Sequence, residues 1–386
     1  MLSIAVMPCL GQAGKATLSG TIDDPSGLPV THAQVDAEEQ ATHARFSTTS
    51  DQRGEYRLLG MIPGKYVLTV KQPGFKTYRQ SGITLRIEDR SAQDVRLEVG
   101  RPAQTIEVTA AAALLQTATG EVSFNLDRDR VAALPLDGRN FIPLLALSPG
   151  VALPGGGSLL ARITGSRPRT NEYLFDGISA LQPEPGQVVF YPIIDGIEEF
   201  RLNLNSYSPE YGRSNGGTVI VYMKSGGNDF HGDVFEFFRN EDLNGRNYFA
   251  QAGRKPEFRR NQYGFTLGGP IQRDKTFFFV DWQGTRLRTG VTRLSTVPTV
   301  AQRDGVFTTP IYDPGTAGRT QFANNTIPAT RFDPIAAQVL DHYPTPNLPG
   351  AANNYTRTGV EPDSQDQFDT RVDRYFGARH RVFGRY

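Results

Sequence analysis

The chain has 386 residues, of which 38% are hydrophobic and 10% aromatic, and its 41 lysines and arginines nearly balance 40 aspartates and glutamates. Disordered chains are poor in aromatic residues, so this composition excludes a disordered protein. A net charge of +1 offers no general attraction to nucleic acid, so no nucleic-acid partner is expected.

The first segment, residues 1–14, has features of a signal peptide. Residues 2–10 are mostly apolar, and Gly11-Gln12-Ala13 has the small residues of a cleavage site. The basic residues that begin such signals are missing, since the first basic residue is Lys15. We therefore interpret residues 1–14 as the remnant of a signal whose natural start lies upstream. A frayed N-terminus is the alternative.

Residues 15–100 contain about seven short strand-like runs, which glycines and prolines separate. In the run from Lys65 to Val70, Tyr66, Leu68 and Val70 face one way, while Lys65, Val67 and Thr69 face the other. This spacing of short strands predicts an immunoglobulin-like β-sandwich. The expected strands are 16–22, 33–37, 44–49, 56–59, 66–71, 83–87 and 92–99.

The motif from Asp51 to Phe75, with turn glycines at Gly54, Gly64 and Gly74, closely resembles the carboxypeptidase-regulatory-like, or carbohydrate-binding-like, domain. That resemblance implies a rigid spacer or adaptor, because the catalytic module of the metallocarboxypeptidases and its zinc ligands are missing. Binding of a glycan by an exposed aromatic residue, such as Tyr78, is the alternative.

The sequence indicates no catalytic residue, metal site or cofactor, and we do not expect an enzyme. Cys9 is the single cysteine, and the five histidines are far apart without metal-ligand spacing. The stretch from Gly177 through Ser179 to Leu181 lacks the closing glycine of a nucleophile elbow.

Residues 101–225 have the pattern of a mixed α/β domain. Short helices are expected at 127–134 and 141–147, because Pro135 and Pro149 would end them. Extended segments are expected at 171–177, 196–202 and 217–224.

Several motifs of this region occur in the order found in one family. NEYLFDGI at 171–178, DGIEEF at 195–200 and EYGRSNGG at 210–217 resemble the plug domain of TonB-dependent outer-membrane receptors. LPLDGRN at 134–140 and LSPG at 147–150 are typical of the Oar-like type. The resemblance implies a receptor and transporter that binds an external ligand and admits it through a plugged β-barrel by energised plug movement.

The same resemblance implies a short segment that binds the energising protein TonB in the periplasm. The best match is Thr105-Ile106-Glu107-Val108-Thr109, which lies between the sandwich and the plug. An extended, β-branched segment can add as a strand to the edge of a partner's sheet. An ordinary first strand of the plug is the alternative for this segment.

Residues 226–386 have the pattern of the start of a membrane β-barrel. No run of 18 apolar residues predicts a transmembrane helix. Instead, Phe278, Val280 and Trp282 share one face of a strand, while Asp281 and Gln283 lie on the other. A lipid-embedded barrel with a water-filled interior requires such strands, although a soluble half-buried sheet has the same alternation. The expected strands are 229–238, 262–269, 276–285, 290–297, 366–374 and 381–386.

Six strands are too few for a closed bacterial barrel, which has at least about eight. Residues 298–365 look like one long loop outside the cell, and an open sheet edge is costly in lipid. We therefore expect a fragment of a longer receptor, truncated within the barrel.

The sequence thus predicts a mainly β protein of the outer membrane, with its N-terminal sandwich in the periplasm. Its expected partners are the TonB complex, outer-membrane lipid and an external ligand, for which a peptide, a glycan and a metal chelate all stay open. A secreted or surface β-rich protein for carbohydrate binding or adhesion, without transport, is the alternative function.

Overall fold

The computed structural model describes residues 14–109, 120–155, 158–184, 186–204, 208–209, 211–245, 255–377 and 380–386. The expected signal remnant lies outside these residues except for Gly14, and so does Glu210 of the EYGRSNGG motif. The protein forms two compact units. The first contains the described parts of 1–235 together with 264–283 and 367–386, and the second contains the described parts of 236–263 and 284–366.

The N-terminal strands form a sandwich of two sheets, which confirms the expected mainly β architecture. One sheet has the order β4-β1-β7, with β8 beside β1, and the other has the order β3-β2-β5-β6-β9. The strands are β1 Ala16–Asp23, β2 Gln34–Glu39, β3 Arg45–Thr49, β4 Glu55–Met61, β5 Gly64–Lys71, β6 Thr77–Leu85, β7 Arg90–Ala92, β8 Val95–Arg96 and β9 Thr105–Thr109.

Apolar residues of both sheets form the core of the sandwich. Tyr66, Leu68 and Val70 of β5 are fully buried, as their alternation predicts. Tyr78 is also buried, and its hydroxyl donates to Gln80 Oε1 at 2.8 Å. The alternative of a glycan site on an exposed Tyr78 is therefore wrong, because this ring packs inside the sandwich.

A third sheet, here called the central sheet, has the order β10-β15-β16-β13-β14. Its strands are β10 Ser123–Asp127, β13 Glu172–Phe175, β14 Ile178–Ser179, β15 Ile197–Asn203 and β16 Thr218–Met223; β11 Val151–Ala152 and β12 Arg162–Ile163 form a separate ribbon. The two expected helices are present as α1 Arg128–Ala133 and α2 Ile142–Leu145. Asp127 caps α1 by accepting from the Arg130 N–H.

Five further strands, here called the long strands, form a sheet in chain order. They are β17 His231–Asn240, β18 Phe258–Gln272, β19 Thr276–Ser295, β20 Tyr355–Phe376 and β21 His380–Arg385. The expectation of two strands at 276–285 and 290–297 is wrong, because β19 pairs with both neighbours and continues through the gap. The sheet is not closed into a barrel among the described residues.

Residues 298–354 are not the featureless loop that their composition predicts. They contain the helices α3 Val300–Arg303 and α4 Pro334–Asp341, and two 3-10 turns at Ala323–Asn325 and Ala329–Arg331. A capping box begins α3, where the Thr299 and Gln302 side chains each bond the backbone of the other residue. Residues 355–365, also assigned to the loop, belong to β20. No helix within the described part of the chain is long and apolar enough to cross a membrane.

Candidate functional site

The long strands bury several polar side chains and expose several apolar ones, although Phe277 and Phe279 of β19 are buried as well. Thr266, Asp281 and Asp373 are 4%, 0% and 1% exposed, whereas Phe265 and Phe368 are 37% and 51% exposed. Water-soluble sheets place apolar residues in the core and charged residues outside. At these positions the long strands have the reverse arrangement, which is the one that a lipid-embedded wall requires.

The buried polar side chains of the long strands lie against the segment that precedes β15 of the central sheet. The Gln367 side-chain amide donates to the Tyr191 carbonyl at 3.1 Å. Asp281 of β19 faces the 3-10 turn Ile194–Gly196, which precedes β15. The buried polar side chains of the long strands therefore lie next to backbone groups of residues 191–196.

The DG pair of NEYLFDGI forms the two-residue turn between β13 and β14. Asp176 and Gly177 both have left-handed backbone conformations, with φ angles of 48° and 84°, which suit a tight hairpin. The Asp176 side chain is buried, and its Oδ1 atom accepts from the Met223 N–H at 3.1 Å. This motif therefore does more than reverse the chain, because it places a carboxylate inside the protein.

Two arginines of the long strands bind the Asp176 carboxylate. Arg371 Nη1 lies 3.2 Å from Oδ1, and Arg385 Nη1 lies 3.2 Å from Oδ2. Arg371 also donates from Nε to Asp373 Oδ2 at 3.0 Å, and Arg385 pairs with Asp369 at 3.1 Å.

These groups form a buried set that we call the charge cluster. Its members are Asp176, Asp369, Asp373, Arg371, Arg381 and Arg385. Three positive and three negative charges balance, so the cluster as a whole carries no net charge into the interior. The Arg371 guanidinium also lies 4.7 Å from the centre of the Phe383 ring. The cluster joins the central sheet to the long strands.

The LPLDGRN and DGIEEF motifs meet in space. Arg139 of the first forms an ion pair with Asp195 of the second, and both side chains are largely buried. The Arg139 guanidinium also lies 4.9 Å from the centre of the Phe235 ring, at the start of the long strands. Burial lowers the pKa of Arg139, and Asp195 opposes this effect.

Gly196 of the DGIEEF motif lies where no side chain fits. A Cβ atom there would collide with the Asp281 carboxylate and would come within 3.3 Å of the Met223 methyl group. The close approach of the turn to β19 therefore requires glycine at this position.

Gly196→Ala is expected to lower the free energy of unfolding by about 1–3 kcal/mol, the usual cost of overpacking. Urea denaturation of the detergent-extracted protein measures this change. Gly120→Ala is the matched control, because a Cβ atom there meets nothing within 4 Å. Adding Asp281→Ala to Gly196→Ala should restore part of the loss. Equal stability of the two single variants would contradict this account.

The sandwich joins the central sheet through the loop that follows β6. The Ile87 side chain is buried against Ile220 and Tyr222. Its N–H donates to Glu199 Oε2 at 3.0 Å, and its carbonyl accepts from Arg201 Nη1 at 2.8 Å. Both backbone groups of Ile87 are therefore held by side chains of β15.

Arg201 is fully buried at this junction among carboxylates. Its guanidinium atoms lie 3.4 Å from Glu121, 3.7 Å from Glu88 and 3.8 Å from Asp89. Its Nε atom also donates to Asn203 Oδ1 at 2.7 Å. A single cation therefore contacts acidic groups from the sandwich loop and from the chain segment that leads into β10.

Burial, with a smaller contribution from the neighbouring Asp89 carboxylate, raises the pKa of Glu199 to about 8. The Ile87 hydrogen bond and the cations of Arg86 and Arg201 oppose this shift. Glu199 therefore holds its proton at neutral pH, and one of its oxygens still accepts the Ile87 N–H. A protonated Glu199 adds no further negative charge to the buried junction.

The segment expected to bind a partner, Thr105–Thr109, is strand β9 of the sandwich. It lies parallel to β6 in an uninterrupted register from Thr77↔Thr105 to Ser81↔Thr109. Val108 packs on the sandwich core, whereas Thr105, Glu107 and Thr109 are exposed. In the alternative interpretation, Thr105–Thr109 would be the first strand of the plug. The first strand of the central sheet is β10, which pairs with β15, whereas β9 pairs with β6.

Sequence reasoning did not identify the partners of the buried arginines. Alternation places Arg371 on the polar face of its strand, but its partner Asp176 is 195 residues away. Arg201 lies between the apolar Phe200 and Leu202, and this is the one local signal of a buried charge. Within the described ranges, no group of three or more His, Cys, Asp or Glu side chains could hold a metal ion.

Two family models match the chain. Residues 17–98 match the carboxypeptidase regulatory-like domain, and residues 222–386 match the outer membrane beta barrel domain. The TonB-dependent transporter Oar of Myxococcus xanthus is 29% identical over 282 residues, which are 69% of this chain and 26% of that protein. The chain therefore spans about a quarter of the length of this curated relative.

Solved structures of outer-membrane proteins also align with the chain. The outer membrane transporter YddB from Escherichia coli is 16% identical, with a TM-score of 0.41 over 66% of this chain and 31% of that one. The siderophore receptor PirA from Pseudomonas aeruginosa is 15% identical, with a TM-score of 0.32 over 44% of this chain and 30% of that one.

Proposed function

We propose that the chain acts as a TonB-dependent outer-membrane receptor and transporter, because it is similar to the TonB-dependent transporter Oar and matches the family models of the carboxypeptidase regulatory-like domain and the outer membrane beta barrel domain. In this proposal, residues 15–100 form a periplasmic adaptor, residues 101–225 form the plug, and residues 226–386 belong to the barrel. An external ligand binds from outside and enters when the energised plug moves.

The reversed burial of the long strands is the observation that carries this proposal. Several of their apolar residues, such as Phe265 and Phe368, are exposed, and several of their charged residues, such as Asp281 and Asp373, are buried. A buried charge is costly unless it is paired, and the charge cluster supplies that pairing. An outward apolar face is costly in water but favourable in lipid. Together these features fit a membrane wall around a polar plug.

The proposed partner site is β9, Thr105–Thr109, which would pair with a strand of TonB. Three features support this role: the strand is extended, lies at a sheet edge and has exposed side chains at alternate positions. Backbone hydrogen bonds would supply most of the affinity, and the side chains would supply less.

The transported ligand is proposed only as a class, namely a peptide, a glycan or a metal chelate. The proposal includes no bond-making step, so the protein is proposed to be a transporter and not an enzyme. A secreted adhesion protein would share the sandwich but would not place the long strands in lipid.

The single tryptophan of the chain, Trp282, provides a test of lipid contact. It lies on the outward face of β19, with its ring 6.4 Å from that of the exposed Phe265. In vesicles with brominated acyl chains, the fluorescence of Trp282 should be strongly quenched relative to vesicles of ordinary lipid. The Trp282→Phe variant identifies the signal that belongs to this residue.

The matched control moves the indole to the other face of the same strand. Phe279 is buried, so the double variant Trp282→Phe, Phe279→Trp should fluoresce with little quenching by brominated lipid. If Trp282 is not quenched and the protein stays in solution without detergent, the transporter proposal fails and the adhesion protein takes its place.

A further inference from the structure

We propose that the sandwich stays bound to the plug during plug movement, and that a second contact, which holds the sandwich on the barrel at rest, has to break. This inference rests on the proposed function, because it concerns what plug movement requires. The sandwich contacts both the central sheet and the long strands. It cannot keep both contacts when one of these parts moves relative to the other, so the weaker contact is the one that breaks.

The hairpin turn between β2 and β3 forms the second contact. The Glu39 carboxylate holds this turn in shape by accepting from the Ala41 N–H at 3.1 Å. The Ala41 carbonyl accepts from the Asn228 N–H at 2.8 Å, in the segment that leads into β17. His43 Nδ1 of the same turn lies 2.9 Å from Asp274 Oδ1, in the turn between β18 and β19. We call these interactions of Ala41 and His43 with Asn228 and Asp274 the rim contact.

Asn228 is itself fixed to the long strands. Its side-chain amide donates to Asp274 Oδ1 at 2.8 Å, and its Oδ1 atom accepts from the Asp274 N–H at 2.8 Å. Two residues earlier, Gly226 lies so close to β19 that a Cβ atom there would collide with the Phe278 carbonyl. The segment around Asn228 therefore belongs to the wall of long strands, and the rim contact attaches the sandwich to that wall.

The rim contact is weaker than the junction between the sandwich and the central sheet. The His43 and Asp274 side chains are 53% and 59% exposed, and exposed charged pairs contribute little because water screens them. A cavity of about 400 Å³ also borders Ala41, so this contact is loosely packed. At the junction, Ile87 and Arg201 are fully buried, and hydrogen bonds to charged groups are the stronger ones. The rim contact therefore breaks first.

Two attachments of unequal strength give the sandwich a role beyond that of a spacer. At rest, the sandwich connects the plug to the barrel and opposes plug movement. When the plug is pulled, the rim contact breaks, and the sandwich moves with the plug. The rim contact is thus an inhibitory contact, which holds the plug in place until the pull is strong enough to break it.

Two buried positions report which contact opens first. Gly227 is buried beside Ala41 at the rim contact, and Ile220 is buried against Ile87 at the junction. Gly227→Cys and Ile220→Cys, each in a background with Cys9→Ser, are labelled with a maleimide in outer membranes without TonB. The Gly227→Cys thiol should react at least about tenfold faster, because openings of lower free energy occur more often. Equal rates, or faster labelling of Ile220→Cys, would overturn the proposed order.

A disulfide across the rim contact tests whether plug movement breaks it. A Cβ atom at Gly227 would lie 3.4 Å from that of Ala41, close to the spacing in disulfides, so Ala41→Cys with Gly227→Cys should form this bond. The matched control is Asp36→Cys with Ser47→Cys, which are opposite each other on the same hairpin and link only the sandwich to itself. Both pairs have the Cys9→Ser background. The probe is the periplasmic domain of the host's TonB protein on a force-microscope tip, which pulls on the intact receptor in outer membranes.

The oxidised rim disulfide should raise the force at which the plug first extends by about twofold or more, because forced opening follows the barrier of the contact that breaks. Reduction should restore the force measured for the control, which should not depend on oxidation. The same force for the oxidised and the reduced rim pair would overturn the proposal, because plug movement would then leave the rim contact intact. If the TonB domain captures not even the unmodified receptor, the proposed TonB partner is refuted, and this inference with it.

Discussion

Replacing Arg201 with methionine is expected to lower the free energy of unfolding by about 3–5 kcal/mol, the cost of breaking a buried network of ion pairs by removing its cation. Methionine keeps much of the side-chain volume but leaves Glu88, Asp89 and Glu121 facing one another. It also removes the donor to the Ile87 carbonyl. Urea denaturation of the detergent-extracted protein should show a midpoint lower by roughly 1 M or more.

The controls for Arg201 separate charge from geometry. Arg57→Met removes an exposed arginine of the sandwich, and this change should be nearly neutral. Arg201→Lys keeps the charge but not the planar fork of donors, so we expect an intermediate loss. If Arg201→Met is as stable as Arg57→Met, the junction between sandwich and central sheet does not depend on this cation.

Asp176→Asn is expected to weaken the attachment of the central sheet to the long strands by about 3 kcal/mol. Asparagine can still accept from the Met223 N–H, but the charge cluster is left with one excess positive charge. Arg371→Met should cause a similar loss of stability, because it leaves the cluster with one excess negative charge. Urea denaturation measures this loss of stability, and so does the protease sensitivity of the central sheet in outer membranes.

The double variant Asp176→Asn, Arg371→Met tests whether charge balance is the cause. Two arginines and two aspartates of the cluster are left, so neutrality is restored. Its loss of stability should therefore be clearly smaller than the sum of the two single losses. Additive losses would show that the two residues act independently and that balance within the cluster is not what stabilises it.

The local features of this protein follow from its sequence alone. Alternation of apolar and polar residues is a local property of a strand, and it correctly assigns Trp282 and Asp281 to opposite faces of β19. Turn chemistry is local too, and Asp176-Gly177 forms a hairpin turn as their residue types favour. The family motifs are runs of neighbouring residues, so the resemblance to TonB-dependent receptors was also readable.

Which distant groups meet depends on the folded chain. Arg201 contacts Ile87, 114 residues earlier, and no periodic pattern connects the two positions. β19 continues through residues 286–289, which separate the two strands expected from the sequence, because β18 and β20 pair with it on both sides. The extended form of Thr105–Thr109 is likewise local, but its place on β6 depends on the folded sandwich. Backbone pairing and charge compensation are satisfied between segments far apart in the chain, so one-dimensional patterns predict the need for a partner but not its identity.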